Sequence, residues 1–321
     1  MRLRRSLIGV VLALGLAACA RPVPSGAPET GAEAASTSRA WLPDGPPQAR
    51  VLALHGFNDY SVAFTWFGTY AAQHGVAVHA YDQPGFGARP DAGLWLGEDA
   101  LVEAVRRETA RLRAEDPHTP LYLLGESMGG AVAMLAMASS DPPDVDGVIL
   151  SAPAVWGDAE LGVVSRMLLR LAAFVVPGLT LTGEGIEVTP SDNIEALRLL
   201  WYDPLVIKAT RIDAIAGLVD VMEDALTAAP GVPGPLLALS GARDDLVPPQ
   251  ADRTMRTLLT ADPCTGVVYP EGYHMLLRDR QRQIVWDDIL SWIHGAVPPS
   301  GLASACGGGT TTASAAAKPP A

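Results

Sequence analysis

The sequence predicts an α/β fold with a mostly parallel central sheet, helices on both faces of the sheet and a helical cap insertion. Short apolar runs bounded by turn residues alternate with helical patterns, and this alternation is typical of parallel sheets. The alternation breaks once, from about residue 154 to about residue 235, where the chain is largely helical in pattern and rich in Leu, Val and Ala. Apolar residues make up 49% of the 321 residues, so the chain has enough of them for a large core.

The predicted elements follow one another in a regular order. The predicted strands are Val51–Leu54, Val76–Tyr81, Leu121–Leu124, Val148–Leu150, Leu236–Leu239 and Gly266–Tyr269. The predicted helices are Ala63–Gln73, Glu98–Ala114, Met128–Ser139, Gln250–Leu259 and Gln281–His294. Each helix is expected to carry the chain back across the sheet, so that neighbouring strands run parallel.

The two ends of the chain differ in composition from the middle. Residues 1–18 combine three arginines with an apolar run that is too short to span a bilayer, which is typical of a signal peptide. Residues 19–38 are predicted to be a flexible tether and residues 298–321 a disordered tail, because both are rich in small residues and proline. The folded domain is therefore expected to span residues 39–297, with its cap at about 154–235.

The end of the predicted signal peptide carries a further pattern. "LAAC", from Leu16 to Cys19, resembles the lipobox of bacterial lipoproteins. The resemblance implies cleavage before Cys19, lipidation of Cys19 and anchoring in a membrane; an ordinary secretory signal with a stray cysteine is the alternative. We expect a lipid-anchored protein of the bacterial cell envelope, and alanine rather than aspartate at position 20 favours the outer membrane, facing the periplasm.

Charge and cysteine content exclude several classes of function. A net charge of -12 argues against a nucleic-acid partner and favours neutral substrates over polyanions. No cysteine or histidine spacing is that of a zinc site, and we expect neither a metal nor an organic cofactor. Cys264 and Cys306 would be able to pair in an oxidising compartment, but Cys306 lies in the predicted tail. The sequence leaves their pairing open, and it leaves the oligomeric state open as well.

A serine between glycines stands where a predicted strand ends and a predicted helix begins. The stretch from Gly125 to Gly129 reads G-x-S-x-G, and strand, G-x-S-x-G and helix together are typical of a nucleophile elbow. Ser127 is then the candidate nucleophile, and the N–H of Met128 is a candidate oxyanion donor. A glycine-rich turn without chemistry is the alternative interpretation.

A serine hydroxyl needs a base, and the base needs an acid. His274 follows the last predicted strand and is the candidate base. Asp244 and Asp245 both follow the strand before it, and the G-x-x-D-x-L-V pattern favours Asp244 as the acid. The chain order Ser, Asp, His is that of hydrolases built around a nucleophile elbow.

The loop after the first predicted strand is expected to complete the site. It reads "HGF", and the N–H of Phe57 is the candidate second oxyanion donor. The side chain of His55 is expected to brace this loop by hydrogen bonds and not to take part in catalysis. Asp82, after the second predicted strand, is expected to shape the rim of the site.

Seven stretches, taken together, resemble the monoacylglycerol lipase/lysophospholipase branch of the α/β-hydrolases, which is related to the serine aminopeptidases of the S33 type. They are "HGFND", "YDQPGFGAR", "GESMGG", "LSAP", "WYDPLV", "GARDDLVPP" and "YPEGYHMLLRD", and they extend over about residues 41–294. The resemblance implies an α/β-hydrolase fold and a serine ester hydrolase whose cap covers an acyl-binding tunnel. Carried over to this chain, it implies Ser127 as nucleophile, Asp244 as acid, His274 as base, and Phe57 and Met128 as the oxyanion hole.

This sequence departs from the family pattern in the loop after His55. Asn58 stands in place of a glycine and Asp59 in place of a glutamate, which bears on the choice among monoacylglycerols, lysophospholipids and similar acyl esters. A proline-type aminopeptidase on the same fold is an alternative, although its usual HGGPG loop and its tryptophan after the nucleophile are absent. A non-catalytic binding lipoprotein is a second alternative. The apolar stretch at residues 163–181 is expected mostly to pack on the sheet. Packing alone, packing combined with acyl binding, and membrane contact are the alternatives that the sequence leaves open.

Overall fold

The computed structural model describes residues 37–156, 162–182 and 188–306. The predicted signal peptide at 1–18, Cys19 and almost all of the predicted tether at 19–38 lie outside the described residues. The part of the predicted tail beyond residue 306 lies outside them as well.

The strands and helices alternate along the described chain as the sequence predicts. The strands are β1 (Ser38–Trp41), β2 (Ala49–Leu54), β3 (Val76–Tyr81), β4 (Leu121–Glu126), β5 (Gly147–Ser151), β6 (Thr180–Thr182), β7 (Ala209–Arg211), β8 (Leu236–Gly241), β9 (Cys264–Tyr269) and β10 (Ala303–Ala305). The α-helices are α1 (Thr65–Gln73), α2 (Glu98–Glu115), α3 (Met128–Ala138), α4 (Val163–Val175), α5 (Ile194–Tyr202), α6 (Ile212–Ala228), α7 (Pro249–Leu258) and α8 (Arg282–Ile293).

The central sheet has the strand order β1-β3-β2-β4-β5-β8-β9-β10. The six inner strands β3, β2, β4, β5, β8 and β9 pair in parallel, whereas the edge strands β1 and β10 pair antiparallel to their neighbours. Helices cover both faces: α2, α3 and α6 pack on one apolar cluster, and α1 and α8 pack on the other. The predicted α/β-hydrolase fold is confirmed. Because parallel strands share a direction, the loops that follow β2, β4, β8 and β9 meet at one edge of the sheet.

The carboxyl-terminal part of the described chain corrects one prediction. The predicted disordered tail begins at residue 298, but β10 lies within it and pairs with β9. A disulfide between Cys264 and Cys306 fastens this edge strand to the first residue of β9. The boundary at residue 297 is therefore wrong. Residues 303–305 read "ASA", which lacks the apolar alternation that predicts a strand, and their order depends on pairing with a distant strand.

The segment predicted to form the cap, about 154–235, lies between β5 and β8. It contains α4, α5, α6 and the antiparallel pair β6–β7. The prediction that the apolar stretch at 163–181 mostly packs on the sheet is wrong: the described side chains of α4 are exposed or half-exposed, and Phe174 is 86% exposed. The helix is joined to α6 by an ion pair between Arg170 and Asp220. In the described ranges, no helix has both the length and the apolar character required to cross a membrane.

Candidate active site

Three side chains from distant parts of the chain meet at the carboxyl edge of the sheet. The Oγ of Ser127 lies 2.8 Å from Nε2 of His274, and Nδ1 of the same imidazole lies 2.8 Å from Oδ2 of Asp244. The other carboxylate oxygen of Asp244 accepts hydrogen bonds from the backbone N–H groups of Leu246 and Val247. The carboxylate is thus fixed by its own loop. Asp245 is exposed to solvent, so the structure brings Asp244, and not its neighbour, to the imidazole.

The turn that presents Ser127 requires its glycines. Ser127 has φ 55° and ψ -119°, a left-handed backbone conformation that costs energy in a non-glycine residue. A Cβ atom on Gly125 would lie 2.3 Å from the carbonyl oxygen of Gly129, and a Cβ atom on Gly129 would lie 2.1 Å from the carbonyl oxygen of Leu54. The strand and the helix approach each other so closely that side chains have no room there. The sequence motif therefore reflects backbone packing as well as chemistry.

The electrostatic surroundings of His274 suit a general base. Burial is the largest single influence on the imidazole and lowers its pKa, but the charge of Asp244, the hydrogen bond to Asp244 and the charge of Glu126 together outweigh burial, so the pKa of His274 is raised. With Nδ1–H donating to Asp244, Nε2 is the nitrogen that accepts the hydrogen bond from the hydroxyl of Ser127. This arrangement can remove the hydroxyl proton as the oxygen attacks and can stabilise the imidazolium that forms.

The loop after β2 is held rigidly beside the serine. A Cβ atom on Gly56 would lie 3.3 Å from the Cβ atom of Ser127, so the backbone that leads into Phe57 passes directly over the turn. Nε2 of His55 accepts a hydrogen bond from the N–H of Gln83 at 3.0 Å, and its Nδ1–H donates to the carbonyl oxygen of Gly56 at 2.8 Å. Burial lowers the pKa of His55, so the ring stays neutral. His55 braces the loop, as expected from the sequence.

Phe57 directly follows Gly56, and Met128 directly follows Ser127. Within the described residues, the backbone N–H groups of Phe57 and Met128 have no hydrogen-bond partner in the protein. Met128 begins α3, where the helix dipole adds positive character to the free N–H groups. Their role as oxyanion donors remains a prediction. Asp82 instead has a structural role, since its buried carboxylate accepts hydrogen bonds from Ser61 and from the N–H of Ala88.

Sequence reasoning missed a buried cluster of charges beside the site. Arg278 forms ion pairs with Asp59, at 2.7 Å, and with Glu126, at 2.9 Å. Glu126 occupies the first variable position of G-x-S-x-G, and Arg278 lies four residues after His274 in the sequence. These positions place both residues close to the predicted site, but they do not indicate that the two charges are buried or paired. Charged residues usually face solvent, and nothing in the local sequence distinguishes a buried charge from an exposed one.

The cap segment is tied to the loop that carries His274. Ser191 donates a hydrogen bond to the buried carboxylate of Asp279 at 2.6 Å, and the side-chain amide of Asn193 donates to the carbonyl oxygen of Arg278 at 2.7 Å. The N–H of Met275 donates to the carbonyl oxygen of Pro190 at 2.9 Å. The cap and the histidine loop therefore form one connected unit.

In the described part of the chain, no group of three or more His, Cys, Asp or Glu residues is arranged to hold a metal ion. The hydrogen-bonded serine, histidine and aspartate need none for acyl transfer, because the imidazole serves both as base and as acid.

Comparison with known proteins gives a consistent result. The model of a family described as "Serine aminopeptidase, S33" matches residues 45–281. The monoacylglycerol lipase of Mycolicibacterium smegmatis is 25% identical over 255 residues, covering 79% of this chain and 90% of that protein. The monoglyceride lipase of Homo sapiens is 25% identical over 271 residues, covering 83% of this chain and 89% of that protein.

Solved structures share the fold. The monoacylglycerol lipase of Paleococcus ferrophilus superposes with a TM-score of 0.69 at 22% identity, covering 81% of this chain and 98% of the other. A soluble variant of monoglyceride lipase from Saccharomyces cerevisiae, solved in complex with a substrate analog, has a TM-score of 0.72 at 16% identity, covering 83% of this chain and 94% of the other.

Proposed function

The chain belongs to the serine aminopeptidase S33 family, and from this premise we propose that it is a serine carboxylic-ester hydrolase acting on monoacylglycerols or similar acyl esters. The observation that carries the proposal is the pair of 2.8 Å contacts that join Ser127, His274 and Asp244. Relatives that cover most of this chain are named monoacylglycerol or monoglyceride lipases. Lysophospholipids are a second class of substrate within the same chemistry.

The geometry supports a two-step acyl transfer. Ser127 Oγ attacks the ester carbonyl while Nε2 of His274 takes its proton, and a tetrahedral intermediate forms. The N–H groups of Phe57 and Met128 face the developing oxyanion, where removing one such donor typically costs about 3 kcal/mol of transition-state stabilisation. The imidazolium then protonates the leaving alcohol. Water, activated by the same imidazole, cleaves the acyl-enzyme and restores the serine.

An acyl ester suits this chain better than an aminoacyl peptide. Methionine follows the nucleophile here, the loop after β2 reads "HGFND", and neither feature is that of proline-type aminopeptidases. The described cap also presents a set of exposed apolar side chains, which favours a substrate with a hydrocarbon tail. This set consists of Met167, Leu168, Leu171, Phe174, Leu199 and Trp201.

The test compares Ser127→Ala with wild type in two assays. The wild-type protein is expected to react with a fluorophosphonate probe and to turn over p-nitrophenyl esters and monoacylglycerols faster than aminoacyl-naphthylamides. Ser127→Ala should lose both labelling and turnover. Ser291→Ala, in which a hydroxyl bonded to the carbonyl oxygen of Val297 is removed from α8, is the matched control and should keep both. Ester turnover that survives in Ser127→Ala would exclude the proposed nucleophile.

We also propose that the protein is anchored in the bacterial cell envelope through a lipid on Cys19, in the outer membrane facing the periplasm. The support is the sequence pattern of residues 1–20 alone. Cells fed an alkyne fatty acid should yield tagged wild-type protein and untagged Cys19→Ser. A wild-type protein that is secreted without the tag would contradict lipidation.

A further inference from the structure

A largely buried guanidinium, that of Arg278, connects the loops that build the site. Nη1 of Arg278 donates to Oδ2 of Asp59 at 2.7 Å, and Nη2 donates to Oε2 of Glu126 at 2.9 Å. The three side chains are 11%, 7% and 2% exposed, in the order Arg278, Asp59 and Glu126. Arg278 is 219 positions from Asp59 in the chain and 152 positions from Glu126.

Each partner of this cluster stands next to a residue of the proposed chemistry. Asp59 lies in the loop of Phe57, and Glu126 directly precedes Ser127. Arg278 lies in the same loop as His274, and its N–H donates to the carbonyl oxygen of Met275 at 2.8 Å. One guanidinium thus touches the oxyanion loop, the nucleophile turn and the histidine loop.

Stability alone gives little reason for such a cluster. Removing ions from water is costly, and apolar replacements of buried ion pairs are often as stable as the pairs themselves. Here burial raises the pKa of Glu126, although the nearby charge of Arg278 lowers it. The ion pair therefore does not fully offset the cost of removing the carboxylate from water. The cluster also leaves Oε1 of Glu126 and Nε of Arg278 without a protein partner among the described residues.

We propose that Arg278 is a positioning residue of the hydrolytic site: its two ion pairs hold the loop of Phe57, the turn of Ser127 and the loop of His274 in register with one another. The proposal rests on the proposed function, because it concerns the same site. An arginine fits this task, since its planar guanidinium presents separate nitrogens to two carboxylates, whereas a lysine offers a single point charge.

The cluster also acts on His274 through space. The charged groups that face this imidazole are Asp244, Glu126 and Arg278. The carboxylate of Glu126 favours the imidazolium, and the guanidinium of Arg278 opposes it. Replacing Glu126 by glutamine keeps an oxygen for Arg278 and removes the negative charge, so the pKa of His274 should fall.

The first experiment separates positioning from general stability. Arg278→Lys is compared with Arg113→Lys, which alters an arginine that pairs with Asp146 at 2.5 Å near the opposite edge of the sheet. Because a misplacement of about 1 Å costs about 100-fold in rate, Arg278→Lys should lose about 10- to 100-fold in kcat and in fluorophosphonate labelling rate. KM should stay within about twofold, since ground-state binding is unaffected. Arg113→Lys should keep the wild-type kcat.

The second experiment uses Glu126→Gln and needs no ester substrate. The acid limb of the labelling rate against pH should move to lower pH, which a purely structural role would not cause. A wild-type kcat and labelling rate in Arg278→Lys, or an unmoved acid limb in Glu126→Gln, overturns the proposal; if Arg278→Lys does not fold, the acid limb decides. A wild-type protein that is labelled but hydrolyses no ester refutes the proposed function, and the labelling rates still test Arg278.

Discussion

The close packing at the nucleophile turn predicts a graded loss of activity across three glycine-to-alanine variants. At Gly129 the new Cβ would lie 2.1 Å from the carbonyl oxygen of Leu54, whereas atoms in favourable contact are about 3.5 Å apart. The backbone must therefore separate by about 1.4 Å, because a carbonyl oxygen of a central strand cannot rotate away as a flexible side chain does. The atoms that move belong to the end of β2 or to the start of α3.

Those two backbone segments lead to the candidate oxyanion donors, Phe57 and Met128. At about 100-fold in rate for each ångström of misplacement, Gly129→Ala should lose at least about 100-fold in kcat/KM. Overpacking should also lower the free energy of unfolding by about 1–3 kcal/mol. Gly130→Ala should have an intermediate effect, since its Cβ would lie 2.8 Å from the Cβ atom of Pro153, a smaller overlap than at Gly129.

Gly45→Ala is the matched control, because nothing lies within 4 Å of a Cβ atom placed there. Urea unfolding curves and the turnover of a p-nitrophenyl ester would be measured for all three variants. The expected order of loss is Gly129→Ala, then Gly130→Ala, then Gly45→Ala. Wild-type rate and stability in Gly129→Ala, or an equal loss in Gly45→Ala, would refute the packing argument.

Two further predictions concern stability. Burial, together with the charge of Asp224 and a hydrogen bond to it, raises the pKa of Glu98 to about 7, so the folded protein holds a proton that the unfolded chain has already released. Stability should therefore fall as pH rises from about 4.5 to about 7. Glu98→Gln should weaken this fall in stability, and Glu103→Gln, on the same helix, should not. If the unfolding free energy from urea curves has the same pH dependence in both variants, the fall does not come from Glu98. Replacing Cys264 and Cys306 together by alanine opens a loop of 42 residues and should cost about 4 kcal/mol of unfolding free energy, so an unchanged urea midpoint would show that the disulfide does not stabilise the fold.

The sequence alone determined the elements whose signals are local. The turn around Ser127 requires glycines because the backbone segments pack too closely for side chains. This local requirement is visible in the sequence as the G-x-S-x-G motif. The parallel sheet follows from the alternation of short apolar runs and helical patterns, because each helix returns the chain across the sheet before the next strand begins. Chain order and the loops after two strands were enough to choose His274 and Asp244, which the structure places in contact.

Tertiary structure decided everything that depends on a partner distant in the chain. Arg278 pairs with Asp59, which lies 219 positions away in the chain, and with Glu126, which lies 152 positions away. The residues next to a charged side chain in the sequence do not indicate whether it is buried. The edge strand β10 exists because β9 and Cys264 lie beside it, although its own sequence has the composition of a disordered tail. The exposure of α4 was likewise decided by tertiary structure. Apolar residues on a helix indicate that the helix has a face to bury, but they do not indicate whether the sheet or a substrate covers that face.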